Sequence, residues 1–202
     1  TGDRVEMLRK AAFVYCRDSV SVENIRRAGI TGPHSGFGPD TTFALHVRNE
    51  EAAERYLQQT GLRNKRFICV IPRHRVSPYH TIYNYPPTAE DRKIDALNRE
   101  FNGPDHAATR ELIVNWVRET GLGVLACPEM TYGVQLAKEQ LVDPLPADVR
   151  KNVVWKDSFW NADEAASVYA RALAVVSLDC HSPIIALTAG TPAIHLRVPT
   201  DN

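Results

Sequence analysis

The sequence carries neither an excess of one charge nor a long apolar run. Among 202 residues, Lys and Arg number 24 and Asp and Glu number 24, so the formal net charge is zero. A chain without a basic excess gives no indication of nucleic-acid binding. No apolar run approaches the roughly 20 residues that a membrane-spanning helix needs, and the polar start Thr1-Gly2-Asp3-Arg4 is unlike a secretion signal. We therefore expect a cytoplasmic protein without a transmembrane segment.

Cysteine is sparse, and its distribution excludes a disulfide framework. Three of the four cysteines lie in apolar, strand-like runs, which favours reduced thiols within a core. All four are single and widely spaced: Cys16, Cys69, Cys127 and Cys180. No combination of His, Cys, Asp and Glu has the spacing typical of a metal site. We therefore expect no metal and no resident cofactor.

Several catalytic motifs are also missing. The chain contains neither a G-x-G-x-x-G pattern nor a Walker loop, which disfavours nicotinamide binding and P-loop chemistry. A G-x-S-x-G nucleophile elbow is absent as well, which disfavours serine hydrolysis. There is no internal repeat and no low-complexity tract.

What the sequence does contain is an alternation of apolar strands and helices from residue 66 onward. Such an alternation predicts right-handed βαβ units around a parallel, Rossmann-like sheet flanked by helices. Asp105 is expected to cap a long amphipathic helix that ends at Gly121. The predicted strands span 66–71, 124–127, 151–155, 174–178 and 193–196.

The segment before residue 63 holds too few strands for a sheet of its own. It offers one apolar strand at 11–16, a helix up to about Ala28, and a helix that begins after Asn49 and ends before Gly61. We therefore expect residues 1–62 to be the trailing part of an amino-terminal domain. Residues 63–202 would form a second, carboxyl-terminal domain that is truncated at its end.

His181 stands at the most informative position of the chain. The apolar run Val175–Leu178 ends just before it, a helix begins at once, and Gly190-Thr191-Pro192 returns the chain to a strand. In an open α/β sheet, ligands bind at this carboxyl edge, where helix N–H groups favour anions. An imidazole beside an anion site suits acid–base catalysis. A cap for the helix, or a hydrogen bond within the core, would explain the residue equally well.

Other polar residues follow strands of the same predicted sheet. Two or three arginines at one edge would suit a small, multiply charged anion, although each arginine taken alone could be a solvated surface charge. The long 74–85 segment, rich in aromatic residues and His, is expected to be a substrate loop or lid, or to pack on a neighbouring domain. The candidate substrate-binding residues are Arg73, Arg75, Glu129, Ser182 and Arg197.

Two separated stretches resemble the polysaccharide pyruvyl transferase family. The first contains Arg17-Asp18, Ser21, Gly29, Asp40 and Phe43. The second runs from Val154-Trp155-Lys156-Asp157-Ser158-Phe159-Trp160 through His181-Ser182-Pro183 to Gly190-Thr191-Pro192. The pattern of histidine, helix and Gly-x-Pro in the second stretch is shared with glycosyltransferases built from two Rossmann domains. The two stretches together are therefore more specific for the family than either stretch alone.

The resemblance implies a glycosyltransferase-B-type architecture with the active site between two domains. It also implies phosphoenolpyruvate as co-substrate, with a sugar of a cell-surface glycan or of its lipid-linked precursor as acceptor. The product would be a pyruvyl ketal, with release of phosphate. A lipid-linked acceptor would place the enzyme at the inner face of the membrane, and a homo-oligomer is left open.

Carried over to this chain, the family's histidine is His181, the expected acid–base. Arg73 matches the family's arginine at the end of the first strand of the carboxyl-terminal domain, which would bind the donor carboxylate or phosphate. Arg75 is the second candidate for this role. The family often has arginine two residues before the histidine, where this chain has Asp179. Arg197 is therefore the candidate to replace it.

The alternatives are a nucleotide-sugar-dependent glycosyltransferase or epimerase of the same fold, in which an acidic residue such as Asp179 holds sugar hydroxyls, and a diverged, non-catalytic glycan-binding module.

Overall fold

The computed structural model describes residues 2–32 and 34–198, which form two compact units. The units are Thr1–Ala44 and Leu45–Asn202. Residues 199–202, which the sequence assigns to the second domain, lie outside the described part of the chain.

The first unit is small and has a two-stranded parallel sheet. Its elements are α1 (Gly2–Arg9), β1 (Val14–Cys16), α2 (Ser19–Arg27), β2 (Ser35–Phe37) and a 3-10 turn (Thr41–Ala44). Helix α2 begins where the Asp18 side chain accepts a hydrogen bond from the Ser21 N–H at 2.7 Å. Strand β2 falls within a stretch whose glycines predict only a loop.

The second unit contains the predicted sheet and its helices. The strands are β3 (Phe67–Ile71), β4 (Gly123–Ala126), β5 (Val153–Trp155), β6 (Ala174–Ser177) and β7 (Ala193–His195). The helices are α3 (Glu50–Thr60), α4 (Tyr79–Ile82), α5 (Ala89–Asp105), α6 (Ala107–Thr120), α7 (Gly133–Ala137), which continues as a π-helical turn (Lys138–Val142), α8 (Ala147–Arg150), α9 (Ala162–Tyr169) and α10 (His181–Thr188).

All five strands are parallel, in the order β5-β4-β3-β6-β7. The chain moves outward from β3 to β5 and then returns to place β6 on the other side of β3. The strand order therefore reverses between β3 and β6, which makes a topological switch point. The prediction of an α/β fold with a Rossmann-like parallel sheet flanked by helices is confirmed.

Both faces of the sheet are buried, and successive side chains along β3 point to opposite faces. Phe67, Cys69 and Ile71 join the core beneath α3, α9 and α10, whereas Ile68 and Val70 join the core beneath α6, the π-helical turn and α8. This alternation is the period of two that an extended chain imposes. It explains why β3 reads as a continuous apolar run, as is usual for a central parallel strand.

One long helix was not predicted from the sequence. Helix α5 begins after Thr88, whose hydroxyl accepts from the Asp91 N–H while the Asp91 carboxylate accepts from the Thr88 N–H. Asp105 is the last residue of α5 and not a cap, and α6 begins after His106. The helix predicted to end at Gly121 is therefore confirmed as α6, but its N-cap is His106 and not Asp105. Helix α5 was missed because its Thr88 capping box was not recognised.

Helix α3 packs on the second unit, although the sequence assigns residues 1–62 to the first domain. The N–H of Asn49 donates to the Ser167 hydroxyl at 2.7 Å, and Arg171 forms an ion pair with Glu50. These contacts explain why the compact unit begins at Leu45. The domain boundaries of 1–62 and 63–202 stay a prediction.

Among the described residues, no helix is both long and apolar enough to cross a membrane.

We expect Leu125→Ala to lower the free energy of unfolding by about 2–5 kcal/mol, because the side chain is fully buried in the core beneath α9 and its loss leaves a cavity. Leu187→Ala is the matched control, since that side chain is 53% exposed and should change stability by about 0.5 kcal/mol or less. Chemical denaturation measures both, and equal losses would contradict this description of the core.

Candidate functional site

The switch point brings together side chains that are far apart in the sequence. Arg73 follows the end of β3 by two residues, and Asp179 follows the end of β6 by two residues. The Arg73 Nη1 atom lies 3.3 Å from the Asp179 Oδ1 atom. His181 begins α10 directly beyond this pair, at the edge of the sheet where the sequence predicts it.

Glu129 crosses the end of the sheet to cap α10. Its Oε1 atom accepts from the His181 N–H at 3.2 Å, and its Oε2 atom accepts from the Ser182 N–H at 2.6 Å. These N–H groups belong to the unpaired first turn of the helix, where a carboxylate is favoured. The first two N–H groups of α10 therefore bind a carboxylate of the chain itself, where the sequence predicts an external anion.

The same carboxylate orients the imidazole of His181. Its Oε1 atom lies 3.0 Å from Nδ1. Burial alone would raise the pKa of Glu129, but hydrogen bonds from His181 and Ser182 outweigh it and lower that pKa. The ionised carboxylate can only accept, so Nδ1 carries the proton and Nε2 is the basic nitrogen. The His181 side chain is 44% exposed, which lets it reach a ligand.

Asp179 is the second unusual carboxyl group of the site. Burial and the nearby charge of Glu129 raise the pKa of Asp179 to about 6, although Arg73 acts in the opposite direction. Asp179 also accepts from the Cys180 N–H at 3.0 Å. At neutral pH the carboxyl group of Asp179 is therefore largely ionised and forms an ion pair with Arg73.

Buried aromatic residues hold the loops that carry these groups. The Tyr169 hydroxyl lies 3.1 Å from the Ser182 hydroxyl, and both side chains are buried. Trp160 donates from Nε1 to the carbonyl of Pro128 at 3.0 Å, one residue before Glu129. The Ser182 hydroxyl is thus part of the support of α10, and its role as a substrate ligand stays a prediction.

A cavity of about 230 Å³ opens beside His181. Glu129, His181 and Ser182 contribute its polar wall, whereas Met130 and Phe159 are among its apolar lining residues. Phe159 is 49% exposed. A pocket with one apolar wall and a few convergent polar groups is typical of small-molecule sites.

The other predicted arginines occupy different places. Arg75 donates from Nε and Nη2 to the two carboxylate oxygens of Asp105, at 3.0 and 2.6 Å, and its guanidinium lies 3.7 Å above the Phe101 ring. It is thereby bound to α5. Arg197 is exposed, two residues beyond β7 at the carboxyl edge. For both residues, a role in binding the donor stays a prediction.

The predicted 74–85 loop is partly helical and packs against α5. His74 lies 2.8 Å from the Asn102 side-chain oxygen and stacks on Tyr132 with ring centroids 4.8 Å apart. His80 Nε2 lies 3.3 Å from Asp95 Oδ2. Burial lowers the pKa of His74, so this histidine is neutral at physiological pH.

The fold also brings together four side chains of types that can bind a metal, which the sequence spacing does not reveal. Donor atoms of Glu129, Asp179, Cys180 and His181 lie within 4.8 Å of one another. Both oxygens of Glu129 already accept from N–H groups, however, and Arg73 places a positive charge against Asp179. These residues fit a hydrogen-bonded acid–base cluster better than the ligand set of a cation.

Sequence reasoning missed the contact of Glu129 with α10 and three further features of this cluster. The pairing of Arg73 with Asp179 depends on β3 and β6 being neighbours, which requires the strand order. The proximity of Phe159 to His181 depends on how the segment between β5 and α9 packs. The contact between Tyr169 and Ser182 depends on how α9 and α10 pack against each other.

The fold is that of an α/β protein, with a candidate small-molecule site at the switch point of its parallel sheet. A family model described as polysaccharide pyruvyl transferase matches residues 5–199. The chain belongs to this family, which confirms the resemblance seen in the sequence and indicates a transferase. No curated protein matches the chain.

We expect Glu129→Gln to lower the free energy of unfolding by about 1–3 kcal/mol. Both oxygens of Glu129 accept hydrogen bonds, so the amide must turn its NH₂ group toward an N–H donor. Glu119→Gln is the control, because Glu119 is exposed near the end of α6. An unchanged melting temperature for Glu129→Gln would show that the cap contributes nothing.

Asp179 should make the protein less stable as the pH rises from about 4 to about 6. Its pKa is about 6 in the folded protein and 3.8 in an ordinary setting, so the folded state binds more protons in this window. We expect Asp179→Asn to flatten this decline and to raise stability at pH 7 by at most about 3 kcal/mol.

Asp148→Asn is the control for this measurement, because the pKa of Asp148 is shifted in the opposite direction. A hydrogen bond from Arg118 lowers the pKa of Asp148, so its contribution is present above the ordinary pKa and is lost as the pH falls. Denaturation curves at several pH values separate the two residues. A loss of stability at pH 7 for Asp179→Asn would contradict the assigned pKa.

Proposed function

We propose that this protein transfers the enolpyruvyl group of phosphoenolpyruvate to a pair of hydroxyls on a glycan sugar. In this reaction C2 of the donor forms two C–O bonds to the sugar and loses its bond to the phosphate oxygen. One hydroxyl proton goes to C3, which becomes a methyl group, and the other leaves with the phosphate. The products are a pyruvyl ketal and hydrogen phosphate.

The observation that carries this proposal is the His181–Glu129 pair beside Arg73. His181 is partly exposed, its ring is oriented by an ionised carboxylate, and it lines a cavity at the switch point. Proton transfer to C3 and from a hydroxyl needs a positioned acid–base group, and an oriented imidazole is the most common one. Glu129 is a positioning residue in this scheme, because it acts through His181 and not on the substrate.

The donor anion is assigned to arginine and not to the helix terminus. Glu129 occupies the first N–H groups of α10, so the carboxylate or phosphate of the donor needs another cation. Arg73 is the closest candidate to the cluster, and a guanidinium suits both groups. Asp179 lies against Arg73, so its carboxylate offsets part of the positive charge that a donor anion would bind.

The cavity beside His181 suits the acceptor sugar. Pyranose rings have apolar faces, and Phe159 and Met130 offer an apolar wall on which one could lie. The competing assignment of Asp179 to sugar or ribose hydroxyls fits less well, because that carboxyl is buried and paired with Arg73.

We expect His181→Asn to lower kcat by about 10²–10⁴-fold, which is the usual contribution of a positioned acid–base. Glu129→Gln should lower kcat less and shift its pH profile, because the ring loses its ionised partner. His195→Asn is the control, since His195 is exposed on β7. Assays of phosphate release from phosphoenolpyruvate with a glycan acceptor measure all three. Full activity of His181→Asn would overturn the mechanism.

Arg73 and Asp179 should affect the donor in opposite directions. Removing a charged hydrogen-bond partner costs about 1.5–3 kcal/mol, so Arg73→Gln should raise KM for phosphoenolpyruvate by about 10–100-fold. Asp179→Asn should lower this KM at pH 7.5, because the full charge of Arg73 is then available. A raised KM in Asp179→Asn would instead mean that Asp179 itself holds a substrate.

A further inference from the structure

A second, cationic groove lies at the opposite edge of the same sheet. It has a volume of about 320 Å³ and is formed where the chain enters β3, β4 and β5. Since β3 is five residues long and a strand rises about 3.3 Å per residue, the groove lies roughly 15 Å from the switch point. It is therefore separate from the site around His181.

Within the part of the chain that the structure describes, three exposed cations line this groove and no carboxylate does. They are Arg63, Arg66 and Lys151. None of the three forms an ion pair with another described residue, whereas the nearby cation Arg118 pairs with Asp148 at 3.1 Å. In a chain of zero net charge, this is a local excess of positive charge that an anion would neutralise.

The backbone beneath these cations is fixed. The carbonyl of Arg66 accepts from the Gly123 N–H at 3.1 Å, and the carbonyl of Asn152, which follows Lys151, accepts from the Val124 N–H at 3.0 Å. A Cβ atom added to Gly123 would lie 2.9 Å from a methyl carbon of Leu62, so the floor is closely packed. The three cations therefore project from a rigid frame.

We propose that this groove binds a compact anion with two or more negative charges, such as a phosphate ester or a diphosphate. Two guanidinium groups and an ammonium group provide both the charge and the forked donors that phosphate oxygens prefer. The site is independent of the transferase reaction and would bind its anion whether or not the proposed function holds. The anion is either a soluble phosphate compound or the headgroup of a lipid.

The test measures binding of inorganic pyrophosphate to the full chain by calorimetry, in about 50 mM salt, where surface charges are little screened. The triple variant Arg63→Gln, Arg66→Gln, Lys151→Gln should bind at least about tenfold more weakly than the parent. Its matched control is Arg27→Gln, Arg55→Gln, Lys93→Gln, which removes the same charge from cations paired within helices. Arg73→Gln controls for binding at the switch point.

Retained binding in both controls and loss in the triple variant would support the groove. No binding by the parent, equal binding by the triple variant, or equal loss in the charge-matched control would each overturn it. A loss of stability in the triple variant with no effect on pyrophosphate affinity would also overturn it, because the cations would then only neutralise the carboxyl ends of α3 and α6.

Flotation with vesicles of phosphatidylcholine and phosphatidylglycerol identifies the source of the anion. Pyrophosphate binding together with flotation that the triple variant loses would identify a lipid headgroup. Pyrophosphate binding without flotation would identify a soluble ligand. Flotation without pyrophosphate binding would contradict a site for a compact phosphate.

Discussion

The carboxylate of Glu129 is the constraint on which the rest of the site depends. It follows β4, yet it accepts hydrogen bonds from the start of α10, which follows β6. Since β3 lies between these strands, one side chain ties together both sides of the switch point. The same carboxylate sets the tautomer of His181 and raises the pKa of its neighbour Asp179. The position of α10, the tautomer of His181 and the pKa of Asp179 therefore all depend on a single residue.

The charges of the site are arranged around this residue. Glu129 is ionised because N–H groups and an imidazole surround it, whereas Asp179 is less acidic because it is buried beside that negative charge. Arg73 compensates for part of the excess. Because Arg73 follows β3 and Asp179 follows β6, this compensation depends on the two strands being neighbours in the sheet.

Much of the fold follows from the sequence, because its strongest signals are local. The apolar run of β3, the left-handed Gly61 that ends α3 and the strand–histidine–helix unit at His181 each predict the observed structure. Helix α5 did not follow, because its polar surface hides a helical period and its Thr88 cap precedes no apolar run. The ion pair of Arg73 with Asp179 and the contact of Glu129 with α10 depend on strand order, which no local pattern contains. The positions of Arg73, Glu129 and His181 at this edge of the sheet were therefore predictable, but their contacts were not.

The most direct test of the account is thermal melting of the complete protein with phosphoenolpyruvate and, separately, with UDP-glucose. A ligand that binds only the native state at 100 times its Kd adds about 2.7 kcal/mol, which a melt detects. We expect phosphoenolpyruvate to raise the Tm of the unmodified protein and to have a much smaller effect on the Tm of Arg73→Gln, while UDP-glucose has no effect on either. Stabilisation by UDP-glucose alone would contradict this expectation, because the switch point would then serve a nucleotide-sugar donor.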